Sequence, residues 1–264
     1  MENKMIYTIN AVISSSFYQL KQSFSRPTFR FVIILQPLLY GYLLFLMYSH
    51  SNPTNLGEKI IIGTGLMNLW SSILYSSASD LERERSMGTL EAIYSAPVDF
   101  KIILLGKIIG NITLGIISTL ISFVFITLVL NLHIQITNPF LFSVSYIATI
   151  ITFIIISLIC SLIFTLSRNS RLLMNCLEYP FFILCGFVFP ITLLPKQVQY
   201  LSYLLTPTWS TLMLKKSMTG INHTYFAKYL FIFGFENIIY LLIIFHLFKK
   251  FDSAIRSKGR LGLY

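Results

Sequence analysis

Two acidic residues, Glu178 and Glu236, stand inside long apolar stretches of this 264-residue sequence. An ionised carboxylate at the centre of a lipid bilayer costs roughly 3 kcal/mol or more, so each must face other helices or a wet cavity. Two interpretations stay open for each residue. It lines a path that attracts a cationic or amphipathic cargo, or it makes a hydrogen bond to a neighbouring helix. We therefore take Glu178 and Glu236 as candidate pathway residues.

Patterns for catalysis and metal binding are absent from the sequence. No Gly-x-x-x-x-Gly-Lys-Ser/Thr phosphate loop occurs, so the chain has no visible means of hydrolysing ATP. The four histidines stand singly without an HExxH pair, and the three cysteines lack CxxC spacing. We predict no catalytic residue, no metal site and no cofactor in this chain. Energy for any transport must come from another subunit or from an ion gradient.

Residues 80–107 form the densest charged patch in the chain. Gly88 loosens the backbone, and Thr89 can cap a short helix that ends before Pro97. Asp99 can then cap the helix that follows. The pattern predicts a short helix over 88–97, flanked by charge. Such a helix is suited to receive force from a soluble partner.

The composition is that of a membrane protein, with 55% hydrophobic and 11% charged residues. Soluble domains carry about 25% charged residues, and a chain of this length has too little interior to hide so much apolar surface. A membrane span needs about 20 apolar residues. The sequence predicts an all-α integral membrane protein, 1–264, that forms a single transmembrane domain. Its six predicted spans are 29–48, 58–79, 102–131, 140–166, 172–190 and 228–248.

Residues 5–24 place apolar side chains along one stripe of a helix and polar ones on the other side. This pattern is too polar to span and favours a helix at the membrane surface, with Pro27 marking the turn into the first span. The predicted span 58–79 is rich in Gly and Ser. Small residues allow helices to approach closely in lipid, so we expect this span inside the bundle or against a partner subunit.

The distribution of Lys and Arg sets the orientation. With the N-terminus inside, 15 of the 20 basic residues fall in inner segments and 5 in outer ones. Basic residues favour the cytoplasmic side, so both termini are expected inside. The net charge of +10 is therefore assigned to cytoplasmic loops and anionic lipid, and nucleic-acid binding is not expected.

Two segments together resemble a known family. The first carries Glu84, Arg85, Gly88, Thr89, Leu90, Glu91 and Pro97, followed by Gly106 and Lys107. It resembles the signature loop of the type-2 ABC exporter permeases. The second carries Gly186, Pro190, Pro195 and Pro207. It is similar to the family's outer segment between spans five and six, here 190–227. The likeness extends over nearly the whole chain, and the Gly-Thr-Leu-Glu form resembles the drug and peptide branch more than the polysaccharide branch.

The resemblance implies function and partners beyond the residues themselves. Two such permeases, identical or paralogous, pair in the bacterial plasma membrane, each bound to a cytoplasmic ATPase that holds ATP and magnesium. The short helix Leu90–Ala96 would be the coupling helix, with Glu84 and Glu91 at or near the ATPase contact. The segment 190–227 would form re-entrant helices that act as an outer gate. The cargo would be a drug, an antimicrobial peptide or a lipid-like molecule, moved outward by alternating access.

Three alternative interpretations stay open. An ion-driven secondary transporter would need intramembrane ionisable groups and a repeat of the two halves, and no convincing repeat is present. An intramembrane enzyme would need clustered His, Asp or Glu, and the histidines do not cluster. A scaffold or immunity-type protein that protects its host against a peptide antibiotic is the third alternative.

Overall fold

The computed structural model describes residues 2–50, 55–74, 83–84, 87–166, 170–220 and 223–258, and its regular elements there are helical without any strand. In chain order the helices are α1 (Glu2–Phe24), α2 (Pro27–Ser49), α3 (Leu56–Ile73), α4 (Thr89–Tyr94), α5 (Phe100–Val129), α6 (Pro139–Leu166), α7 (Ser170–Leu184), α8 (Lys196–Tyr203), α9 (Thr206–Thr219) and α10 (His223–Lys258). A short 3₁₀ turn, Ile191–Leu193, lies between α7 and α8.

Four helices are long and apolar enough to cross a membrane, over Pro27–Ser49, Phe100–Val129, Pro139–Phe164 and Tyr225–Lys250. Their mean hydropathies lie between 1.9 and 2.8. The chain is therefore an all-α membrane protein. Helix α3 is less apolar because it carries Glu58, Lys59 and Asn68, and the rest of the predicted span 58–79 lies outside the described residues.

Proline and glycine shape two of these helices. Pro37 lacks a backbone N–H and crowds the carbonyl of the preceding turn, and α2 passes through a π-helical turn, Phe31–Leu35, immediately before it. Helix α7 ends at Leu184, short of the predicted boundary at 190. Gly186 follows with a φ of 71°, a conformation that favours glycine, and reverses the chain toward Ile191.

Helix α3 runs through the centre of the bundle. Nearly all of its described residues are buried, including Trp70, whose ring stacks on Phe181 of α7 at 4.0 Å. Gly63 lies where a Cβ would meet the carbonyl oxygen of Phe187 at 2.7 Å. The expectation that the small residues of this span lie inside the bundle is confirmed for its described part. The helix backbones lie close together here, whereas an ordinary core would be filled by larger side chains.

Helix α1 packs against α5 through a strip of small and polar residues. Ser16 donates to the carbonyl of Gly106 at 2.7 Å, and Gln19 donates to the side-chain carbonyl of Asn111 at 2.9 Å. Gly106 and Gly110 supply the close approach on α5, since a Cβ on either would lie under 3 Å from the α1 backbone. The apolar stripe of α1, which includes Ile13 and Phe17, faces outward and is exposed.

Candidate functional site

The predicted coupling loop contains a short helix, α4, which begins at Thr89. Gly88, just before it, has a φ of 70° and no heavy atom within 4 Å of where a Cβ would stand. Glycine is therefore required here by backbone conformation and not by crowding. The Thr89 hydroxyl donates to the carbonyl of Glu84 at 3.2 Å. This bond ties the start of α4 to the residues that precede the turn.

The Glu84 carboxylate forms an ion pair with the ammonium of Lys107 in α5. Both side chains are buried, at 5% and 6% exposure. A buried ion pair fixes its two segments strongly because breaking it leaves an uncompensated charge away from water. Glu84 therefore points into the bundle and anchors the loop to α5, while the surface of the loop is formed by other residues.

The exposed surface of this loop is provided by residues on and around α4. Ala92, Ser95 and Pro97 are exposed, whereas Ile93 is partly buried and packs on the main apolar core. The backbone of Leu90 and Glu91 lies within α4. Their side chains, and all of Arg85, fall outside the described part of the chain. Helix α4 is thus held to the bundle on one side and open on the other.

The helix after the loop begins with the predicted cap. The Asp99 carboxylate accepts a hydrogen bond from the backbone N–H of Lys101 at 3.3 Å. The Lys101 ammonium lies 5.1 Å from the ring centroid of Phe248, so a cation–π contact joins the start of α5 to the last long helix. At this end of the bundle, α5 therefore contacts both the loop that carries α4 and the last long helix, α10.

Glu178 is buried between three helices, with 2% exposure. Its carboxylate accepts from the Ser71 hydroxyl of α3 at 2.8 Å and from the Tyr40 hydroxyl of α2 at 3.4 Å. Gln36 donates to Tyr40 at 2.5 Å, which extends the network along α2. The acid therefore sits in a polar network shared by α2, α3 and α7. Sequence reasoning missed Tyr40 and Ser71, because contacts across 138 and 107 positions leave no spacing signal.

Glu236 lies in α10 and is partly exposed. One carboxylate oxygen accepts from the indole N–H of Trp209 at 2.8 Å, and the same N–H also donates to the carbonyl of Tyr203 at 2.9 Å. The two predicted pathway acids therefore belong to different surroundings. Glu178 joins the central helices, and Glu236 joins α10 to the segment formed by α8 and α9.

The segment between α7 and α10 is built on the four residues singled out in the sequence. Gly186 makes the turn after α7, Pro190 and Pro195 precede the 3₁₀ turn and α8, and Pro207 stands in the first turn of α9. Proline suits these positions because the first N–H groups of a helix have no partner within it. The segment therefore consists of short helices that are joined by tight turns.

Two contacts fix this segment to the rest of the bundle. The Tyr48 hydroxyl of α2 donates to the carbonyl of Val188 at 2.6 Å, and the Lys215 ammonium of α9 donates to the carbonyl of Gly186 at 2.5 Å. Neither residue was singled out from the sequence. Among the described residues, no three His, Cys, Asp or Glu side chains are grouped closely enough to hold a metal ion.

A comparison with protein families gives a match to the model described as ABC-2 type transporter, over residues 11–219. This range covers most of the chain, from α1 through α9, and includes both segments described above. No curated protein matches the chain.

Proposed function

The chain belongs to the ABC-2 type transporter family and is a permease subunit of an ABC transporter, and from that premise we propose that it serves an ATP-driven exporter. The export would carry a hydrophobic or amphipathic cargo out of the cell. The family implies a separate ATPase partner, and typically a second permease. The observation that carries the proposal is α4, a short helix whose outer side is open while its base is anchored to α5 by the buried Glu84–Lys107 pair.

We propose six spans with both termini in the cytoplasm of a bacterial cell. Four helices meet the length and hydropathy of a span. Helices α3 and α7 would supply the second and fifth, with α7 crossing only part of the bilayer before the chain turns at Gly186. The uneven distribution of Lys and Arg supports an inner position for α4 and an outer one for α8 and α9.

In this arrangement the ATPase, with its ATP and magnesium, docks on the open side of α4. Closure of the paired ATPases would push α4, and the ion pair would pass that displacement to α5. Helix α5 is joined to α1 through Gly106 and Gly110 and to α3 through Gly115, which packs on Leu69. Such closely packed helices move together more readily than they deform. The mechanism we propose is alternating access driven by this motion.

The second permease would pair against α2 and α7. Both helices leave large apolar side chains exposed, including Leu39 and Leu43 of α2 and Ile183 of α7. Glu178 lies directly behind this surface, bound to Tyr40. A path between paired subunits would run past the Glu178 network, with α8 and α9 as a gate at its outer end. Glu236, bonded to Trp209, would act at that gate.

The experiment that tests the proposal is a pull-down from membranes with identification of the partners by mass spectrometry. We expect an ATPase with a phosphate loop to co-purify with the wild-type chain. Ala92→Arg, on the open side of α4, should abolish its recovery and ATP-dependent transport. The matched control is Ala227→Arg, an exposed alanine at the opposite end of the bundle, which should leave recovery unchanged.

Two results would contradict the proposal. Recovery of the chain without an ATPase, even after gentle crosslinking in membranes, would favour an ion-driven transporter. Equal loss of the ATPase with Ala92→Arg and Ala227→Arg would place the docking surface elsewhere.

A further inference from the structure

An apolar groove of about 270 Å³ opens between α5 and α6. Leu120 and Phe123 of α5 form one wall, Phe142 and Tyr146 of α6 form the other, and α3 forms the floor. Gly65 lies on this floor, where a Cβ would meet Thr119 of α5 at 3.0 Å. The groove is on a different side of α3 from the Glu178 network and is not used in the proposed transport path.

A second, basic pocket of about 200 Å³ lies beside the groove. Ile62 lines both cavities, and α9 contributes neighbouring residues to each, with Leu214 in the groove and Lys215 in the pocket. The full lining of the basic pocket is Asn55, Glu58, Lys59, Ile62, Lys215, Lys216 and Thr219. The apolar groove and the charged pocket are therefore neighbours that share Ile62, and we refer to them together as the recess.

The charge in the pocket favours an anion. Three lysines and one glutamate line the pocket. The Lys215 ammonium already donates to the carbonyl of Gly186 at 2.5 Å, and the Glu58 carboxylate already accepts a hydrogen bond from the backbone N–H of Gln135 at 3.1 Å. Lys59 and Lys216 are therefore the lysines that an anion would meet. Burial, together with repulsion from Lys59, lowers the pKa of Lys215 to about 8. A bound anion would offset both effects. The pocket therefore concentrates positive charge beside an apolar groove.

We propose that this recess is a binding site for an anionic phospholipid, with an acyl chain in the α5–α6 groove and the phosphate headgroup at Lys59 and Lys216. In the orientation proposed above, the site opens to the outer leaflet, since α9 lies at that end. The lipid would be a resident of the permease and not its cargo. It would hold the outer ends of α3, α5 and α9 together.

The test uses the full chain purified in mild detergent and titrated with phosphatidylglycerol or phosphatidylcholine of identical acyl chains, with bound lipid counted by native mass spectrometry. We expect the wild type to retain phosphatidylglycerol more tightly. Lys59→Gln and Lys216→Gln should each weaken retention by about fivefold, the effect expected of one lysine on an anionic lipid. Lys196→Gln, an exposed lysine of α8 outside the recess, is the control and should change nothing.

A second pair of variants tests the groove. Leu120→Trp fills it from an exposed position on α5 and should abolish the preference for phosphatidylglycerol. Leu128→Trp, exposed on the same helix outside the groove, should preserve it. Equal retention of the two lipids, an equal loss with Lys196→Gln, or no effect of Leu120→Trp would overturn the proposal. Binding of inorganic phosphate without any preference between the two lipids would also overturn it, because it would indicate a site for free anions alone.

Discussion

The role in coupling that we propose for Glu84 does not require contact with the ATPase. The resemblance to exporter permeases implied a place at or near the ATPase contact, and the structure has its carboxylate buried against Lys107. Its proposed role is to transmit force from α4 to α5. Surface contact is left to residues such as Ala92, which is exposed.

Replacing Glu84 by Gln should therefore destabilise the chain by about 3–5 kcal/mol, because it removes the carboxylate from a buried ammonium. Adding Lys107→Met should recover much of that loss, since the pair is then replaced by neutral groups of similar size. Thermal unfolding in detergent measures stability, and ATP-dependent transport measures coupling. We expect the double variant to recover its stability to a greater extent than its ATP-dependent transport. If the losses of stability from the two single substitutions simply add in the double variant, a direct interaction between Glu84 and Lys107 is contradicted.

Lys215 gives a second residue-scale prediction, about pH. Its pKa in the folded chain is about 8, below its ordinary value of 10.5, so the folded state holds this proton less tightly than the unfolded state. Stability should therefore rise as the pH increases from about 8 to 10.5. Below pH 8 the folded chain bears the full cost of burying the protonated Lys215 ammonium. Glu58, Lys59 and Lys216 line the same pocket and are present in every variant compared.

The measurement is the melting temperature of lipid-stripped protein between pH 7 and 10. Lys215→Met should show a flatter pH dependence than the wild type, by on the order of 2 kcal/mol across the range. Lys196→Met, at an exposed position, should follow the wild-type curve. Parallel curves for wild type and Lys215→Met would show that Lys215 titrates normally.

At the scale of elements, the glycines of α5 decide which helices can approach one another. A Cβ on Gly106 would lie 1.8 Å from the hydroxyl oxygen of Ser15 and 2.7 Å from the carbonyl oxygen of Val12. Gly234 of α10 has no heavy atom within 4 Å of its Cβ position. The two residues are therefore a matched pair for testing the contact between α1 and α5.

Gly106→Ala should displace α1 and cost about 1–3 kcal/mol, because the α1 backbone must shift to admit the methyl group. Gly234→Ala should be neutral or stabilising by up to about 1 kcal/mol, since alanine is the better helix former. Limited proteolysis of the first 24 residues reports the displacement, and thermal unfolding reports the cost. Equal protease sensitivity in the two variants would argue against close packing at Gly106.

Some of these elements were predictable from the sequence and others were not. The cap at Asp99 and the break at Gly88 were anticipated, because each depends on local backbone chemistry. Pro195 and Pro207, which precede or begin helices, were singled out by the family resemblance instead. The packing face of α1 was not anticipated. Its periodicity predicts an apolar stripe, whereas the face that packs carries Ser16 and Gln19 and lies against Gly106 and Gly110 of α5.

The candidate site divides in the same way. Acidic residues inside apolar stretches are easy to recognise in a sequence, so Glu178 and Glu236 were found. Their partners come from elsewhere in the chain, as Ser71 and Trp209 do, and are hydroxyl or aromatic side chains that are common throughout this sequence. The burial of Glu84 by Lys107 also depends on how two helices meet, which no spacing rule encodes.

At the scale of the whole molecule, charge and hydropathy determine where the chain lies. Four long apolar helices make it a membrane protein, and the family match makes it a permease subunit. The surfaces described above then fall at two ends, with the exposed side of α4 at one and α8 and α9 at the other. The direction in which these ends point is the part that composition alone suggests.

Labelling of single cysteines tests that orientation. In a Cys176→Ser background, which removes the exposed native thiol, Ser95→Cys beside α4 should react with a membrane-impermeant maleimide only after the cells are opened. Both chosen positions are exposed. Lys196→Cys at the start of α8 should react in intact cells, because α8 is proposed to lie on the outer side. The reverse pattern would invert the proposed topology and place α4 away from any cytoplasmic ATPase.

The inward-facing polar side of α1 also imposes an order on biosynthesis. The bond from Ser16 to Gly106 joins residues 90 positions apart. At ordinary rates of translation, roughly 5–20 s pass before the ribosome has made the second partner. During that interval α1 lacks the α5 surface that its serine and glutamine side chains bind, and lipid headgroups and water must serve instead. Helix α1 therefore cannot reach its final position until α5 has been made.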